Sequence, residues 1–109
     1  MDGLGAFRPI IRRILQEHAE IPYSHGDISL ECVFDDESDR YLLMLVGRDG
    51  HRRIHGCLVH VDIVDGNIWI QRDGTEHGIA RDLIAAGVPA EKIILAVRAS
   101  PPVTAASVA

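Results

Sequence analysis

The chain has 109 residues, 47% of them hydrophobic and 25% charged, with a formal net charge of −5. That length supports one globular domain with a modest core, which a partner subunit would enlarge, and a net negative charge disfavours tight DNA binding through phosphates alone. No apolar run approaches the roughly 18 residues of a membrane span, and the opening "MDGLGAFRPIIRR" lacks the pattern of a secretory signal, so a cytoplasmic protein with no membrane partner is expected.

Residues 4–19 place Leu4, Phe7, Ile11, Ile14, Leu15 and His18 at three- and four-residue steps. This spacing predicts a helix with one apolar face. Arg8, Arg12 and Arg13 fall on or near the other face. Pro9 lacks the N–H that bonds one turn back, so it belongs near the helix start or at a kink. "DISLECVF" alternates over residues 28–34, with Ile28, Leu30, Cys32 and Phe34 sharing a face. The acidic "DDESD" is a turn. "RYLLMLVG" is apolar on both faces and is expected in a strand that is central or covered on both sides. Asp49-Gly50 signals a hairpin, a strand follows over residues 52–64, and Asp65-Gly66 turns the chain into "NIWIQR". Trp69 alternates with Ile68 and Ile70, which suits a core or subunit-interface position.

"DGTEHGIARDLIAAGVP" predicts a second helix. Thr75 is its expected N-cap, Glu76 lies in its first turn, and Ile79, Ala80, Leu83 and Ile84 form its buried stripe. Gly87 and Pro89 end it, and "KIILAV" is a last strand. The order is α-β-β-β-β-α-β, an α+β domain built on an antiparallel sheet. It spans residues 1–99, with residues 100–109 as a flexible C-terminal tail.

The run "HGCLVHVD" places His55, Cys57, His60 and Asp62 within eight residues. All four types can bind metal, yet strict strand alternation sends His55 and Cys57 to one face and His60 and Asp62 to the other. A zinc ion wants three or four ligands together, so no metal site is expected. Cys32 and Cys57 have no CxxC partner and read as reduced, buried thiols. No serine sits in a nucleophile elbow. The single lysine, Lys92, follows Glu91 directly, whereas a restriction-like nuclease needs acid and lysine two residues apart on one strand face. Arg48, His51, Arg52, Arg53 and His55 form a basic cluster suited to a carboxylate- or phosphate-bearing partner.

The order Arg52-Arg53-x-x-Gly56-Cys57, then His60-x-Asp62, then Asp65-Gly66-x-Ile68-Trp69-Ile70-Gln71-x-Asp73-Gly74-Thr75-Glu76, then Ala86-Gly87-Val88-Pro89, closely resembles the XisI family, the fdxN element excision controlling factors of cyanobacteria. The likeness runs from about Phe7 to Leu95. It implies an XisI-like fold, a homodimer, and a non-enzymatic accessory role in programmed DNA excision through a nuclease-like, XisH-like companion, with an indirect association with DNA. It carries no catalytic residues, metal or cofactor. Arg48, Arg52, Arg53, His60, Asp62, Trp69, Gln71 and Asp73 are the candidate partner- or anion-binding residues. Arg48 stands where family members usually carry an aromatic, and "RASPPVTAASVA" lacks the family's basic and aromatic C-terminal character. Two other readings remain open: direct DNA binding through Arg48, Arg52 and Arg53, and an enzyme of unknown chemistry at Cys57, His60 and Asp62.

Overall fold

The structure is a computed structural model that describes residues 3–21 and 27–96. The predicted tail at 100–109 lies outside the described residues. A first helix, α1 (Gly3–Ala19), precedes four strands: β1 (Asp27–Asp35), β2 (Arg40–Asp49), β3 (Arg52–Val64) and β4 (Asn67–Asp73). A second helix, α2 (Ile79–Ala85), a single 3-10 turn and β5 (Ile93–Leu95) complete the described chain. The element order matches the sequence reading. The five strands form one sheet in sequence order. β1 to β4 pair antiparallel, while β5 runs parallel to β4. The parallel step follows from α2, because a helix between two strands returns the chain to the same end of the sheet.

Both helices pack on one face of this sheet. Phe7, Ile11, Ile14 and Leu15 of α1 meet Tyr41 and Leu43 of β2, Val59, Val61 and Ile63 of β3, and Ile68 and Ile70 of β4 in one buried cluster. Ile79 and Leu83 of α2 join it. The apolar steps read from the sequence therefore mark the α1 contact stripe. Ile84 does not belong to the α2 stripe, since half of it is exposed. With only seven residues, α2 turns a narrow face inward. His18 leaves the apolar role expected of it and bonds Asp82 Oδ2 through Nε2 at 2.9 Å, tying α1 to α2. Pro9 sits inside α1 with its ring exposed.

The acidic turn between β1 and β2 anchors α1. Arg8 Nε donates to Asp39 Oδ1 at 2.7 Å, and Arg12 bonds Asp36. The buried Tyr41 hydroxyl donates to Asp36 Oδ1 at 2.9 Å, and burial plus these carboxylates push its pKa up. Arg8 holds the Asp39 carboxyl below its ordinary value. Asp39 also takes a left-handed backbone, φ 54°, which Asp tolerates better than most residues.

The hairpin after β2 turns on Gly50-His51, one residue later than the Asp49-Gly50 pair suggested, since Asp49 still pairs with Arg52. Asp65 and Gly66 both have positive φ, 53° and 79°, the requirement of a two-residue hairpin turn. The start of α2 also differs from expectation. The helix begins at Ile79, so Glu76 lies before it, and Thr75 Oγ1 accepts Gly78 N–H at 3.1 Å without occupying the N-cap position. Asp73 Oδ2 accepts the Ile79 N–H at 2.6 Å. The carboxylate reaches the helix start from the end of β4 because Asp73 and Thr75 close a tight turn between them.

Gly47 and Gly56 occupy neighbouring strands but obey different constraints. A Cβ on Gly47, whose φ is 152°, would lie 1.9 Å from the Asp27 carbonyl oxygen and 2.8 Å from Ile28 Cα. Both obstacles are backbone, so β1 would have to move. A Cβ on Gly56 meets nothing within 4 Å. Gly47→Ala is therefore expected to cost about 3 kcal/mol or more, and Gly56→Ala to stay within about 1 kcal/mol. Urea unfolding of both variants checks the contrast; equal costs would contradict the close approach of β1 to β2.

Candidate functional site

Strand register decides which candidate residues meet. Leu43 of β2 faces Val59 of β3, but the next pair is Met44 with Cys57. Leu58 is therefore an extra residue, a β-bulge. It packs against the core beside Val59. The bulge shifts parity, and cross-strand partners share a face. His55 pairs with Val46, Cys57 with Met44, His60 with Leu42 and Asp62 with Arg40. All four polar residues thus lie on the face opposite the helices. The split expected from strict alternation does not occur, and Ile54 and Leu58 do not share a face with His60 and Asp62.

Three groups hold the bulge in place. Gly74 N–H donates to the Leu58 carbonyl at 2.8 Å. Arg72 Nε donates to the Cys57 carbonyl at 2.8 Å. Cys57 Sγ donates to the Val59 carbonyl at 3.2 Å. Gly74 is required by proximity: a Cβ there would sit 2.8 Å from Leu58 Cδ1 and 3.2 Å from the Leu58 oxygen. Burial raises the Cys57 thiol pKa, outweighing the nearby Arg72 charge. A protonated thiol bonded to a carbonyl is a poor nucleophile.

A second irregularity in β4 admits Gln71. Val61 pairs with Ile70, and His60 pairs with Arg72. Gln71 then reaches Asp62, its Nε2 donating to Oδ2 at 3.3 Å. His60 Nε2 lies 2.9 Å from Asp62 Oδ1, and Arg40 Nε donates to the same oxygen at 3.3 Å. Asp62 is 8% exposed, a buried charged residue at the centre of this group. Burial pushes its pKa up, but the His60 bond and charge, together with Arg40, outweigh burial and leave it lowered. Trp69 stands directly across from Asp62 on the same face.

Of the candidate residues, His60, Asp62, Trp69 and Gln71 come together here. Arg48 and Arg53 pair across β2 and β3 on the same face at the hairpin end, while Arg52 pairs with Asp49 and faces the other way. All three arginines are exposed and form no ion pair among the described residues. Asp73 stands apart: it pairs with Val59 on the helix face and caps α2. Sequence reasoning missed Arg40 and Arg72, because their roles depend on register. Among the described residues, no three His, Cys, Asp or Glu side chains stand close enough to hold a metal ion.

No described element covers this face. Leu42, Met44, Val46, Cys57, Trp69 and Ile94 are half-buried on it, and none belongs to the cluster packed around the helices. Every buried side-chain nitrogen or oxygen among the described residues has a partner. The arrangement is a wide, half-apolar surface with one satisfied polar group, suited to contact with another macromolecule.

The family model for the XisI protein matches residues 1–105. The chain belongs to the XisI family. Its structure is similar to that of a XisI-like protein from Anabaena variabilis ATCC 29413, with a TM-score of 0.80 and 34% identity over 88% of each chain. It is also similar to the fdxN element excision controlling factor XisI from the same organism, with a TM-score of 0.75 and 29% identity over 90% of this chain and 89% of that one. A search of the curated proteins found no match. The XisI-like fold expected from the sequence is the fold observed. No helix among the described residues is long and apolar enough to cross a membrane.

The lowered pKa of Asp62 fixes a sign for acid stability. The unfolded chain takes up this proton near the ordinary value of 3.8, while the folded chain resists it to lower pH. The group's contribution is fully present above the unfolded value and is lost as pH falls through the folded one. Asp62→Asn is expected to cost on the order of 2 kcal/mol at pH 7 and to flatten the acid limb of the stability curve below about pH 4. Urea unfolding between pH 7 and about pH 3 measures both. An unchanged acid limb would show that Asp62 is not held ionised by its neighbours.

Proposed function

We propose that this XisI-family chain is a non-enzymatic accessory factor in the excision of a DNA element, acting as a homodimer that binds a nuclease-like companion protein. The observation that carries this reading is the open sheet face, which offers apolar contact area and paired charges. Its Asp62 is ionised and bonded on both oxygens, and its Cys57 thiol is held protonated. The similar Anabaena protein named as an excision controlling factor supports the accessory role. A chain of net charge −5 complements a basic, DNA-handling protein. A stable complex with the companion at micromolar concentration is expected on co-purification, and its absence would overturn the reading.

Direct DNA contact is a second reading, because Arg48 and Arg53 sit side by side, exposed and without ion pairs among the described residues. Duplex titrations at about 50 and about 200 mM salt separate the two, since phosphate contacts weaken steeply with salt. The accessory reading expects no salt-dependent duplex binding by the chain alone. Binding that Arg48→Ala and Arg53→Ala abolish would favour direct contact.

A further inference from the structure

The homodimer in the function above leaves its surface unassigned. We propose that two copies meet through the open sheet face, about a two-fold axis running along β2. This inference rests on the homodimer reading and adds the surface and its chemistry.

Leu42, Met44 and Val46 form an apolar stripe down the open side of β2, and all three are half-buried with nothing described above them. To one side, β1 presents Asp27, Ser29, Glu31, Val33 and Asp35 on this face, as their pairing with Arg48, Val46, Met44, Leu42 and Arg40 shows. To the other side, β3 presents Arg53, His55, Cys57, His60 and Asp62. The β1 column is acidic. The β3 column is basic towards the hairpin end, and its one acid, Asp62, is already bonded to Arg40 and His60.

A two-fold axis along β2 stacks the apolar stripe on its own copy. The same rotation carries the β1 column of one copy over the β3 column of the other. Asp27 then approaches Arg53, and Glu31 approaches the stretch between His55 and His60, whereas Asp35 falls over the already bonded Asp62, so the charge match belongs to the hairpin end. Isologous contacts require such self-complementarity, and aligned sheet packing provides the geometry, with faces about 10 Å apart. Arg53 stands directly across from Arg48 within one copy, a like-charge position that repels, and the rotation brings it the Asp27 of the other copy. Nucleic acid is a poorer occupant, because the β1 acids would face phosphates.

The full-length chain tests this by sedimentation velocity and light scattering over about 1–100 µM, the affinity range of a weak to moderate dimer. Wild type is expected to dimerise. Met44→Glu places a charge on the stripe and should weaken dimerisation at least about 30-fold, with an unchanged far-UV spectrum. If Met44→Glu fails to fold, the exposed charges decide. Asp27→Arg and Arg53→Asp should each weaken the dimer, and the double swap should restore it, as a two-fold contact requires. A wild type that is monomeric throughout would overturn both the homodimer reading and this surface. A wild-type dimer that withstands Met44→Glu and both single swaps would overturn this surface alone.

Discussion

Leu58 is one residue more than β2 can pair with, and the character of both sheet faces depends on where it goes. Turned inward beside Val59, it extends the core under the helices. Everything before it on β3 keeps the opposite parity from everything after it. Without that extra residue, His60 and Asp62 would point at the helix side of the sheet, where the apolar cluster lies. The extra residue puts them beside Arg40 instead. Desolvating a lone carboxylate costs several kcal/mol, more than any one packing contact in a small core returns. The bulge carbonyls of Leu58 and Cys57 are satisfied by Gly74 and Arg72.

Much of the fold was legible in the sequence because it rests on short-range patterns. The 3- and 4-residue steps of Phe7, Ile11, Ile14 and Leu15 placed α1, and the Asp65-Gly66 turn fixed the β3–β4 hairpin. What sequence pattern could not show was register. A bulge leaves no composition signal of its own: "GCLVHVD" reads as strict alternation until the partner strand is aligned. The same cause hid Arg40 and Arg72, which act on residues 22 and 15 positions away. The α2 cap was misread for a related reason. Thr75 satisfies the local rule, but the tight turn at Asp73 brings a carboxylate to the first free N–H ahead of it. "RYLLMLVG" is apolar on two sides, but among the described residues cover is present on the helix side alone, and the other side is the open stripe of Leu42, Met44 and Val46.

The electrostatics follow one plan at both ends of the molecule. Basic side chains of one element bond acids of another: Arg8 and Arg12 of α1 on the β1–β2 turn, His18 of α1 on Asp82 of α2, Arg40 of β2 on Asp62 of β3. Most of these pairs are partly exposed, and exposed pairs stabilise little individually. Their value lies in orientation. The turn pair sets how α1 lies across β1 and β2, which in turn positions the buried Tyr41 hydroxyl between Asp36 and Asp39.

The family-like run divides into two kinds of residue once the structure is known. Asp73, Gly74 and Thr75 make the fold: one caps α2, one allows the approach to Leu58, one closes the turn between them. His60, Asp62, Trp69 and Gln71 are turned to the open face. Beside that second group, Arg40 offsets the charge of Asp62, and His60 and Gln71 also bond its carboxylate. A face can lose its water to a partner at low cost only when its charges are already balanced from within. The Asp62 group meets that condition before any partner arrives, which is why a buried ion and a contact surface coexist on one side of so small a sheet.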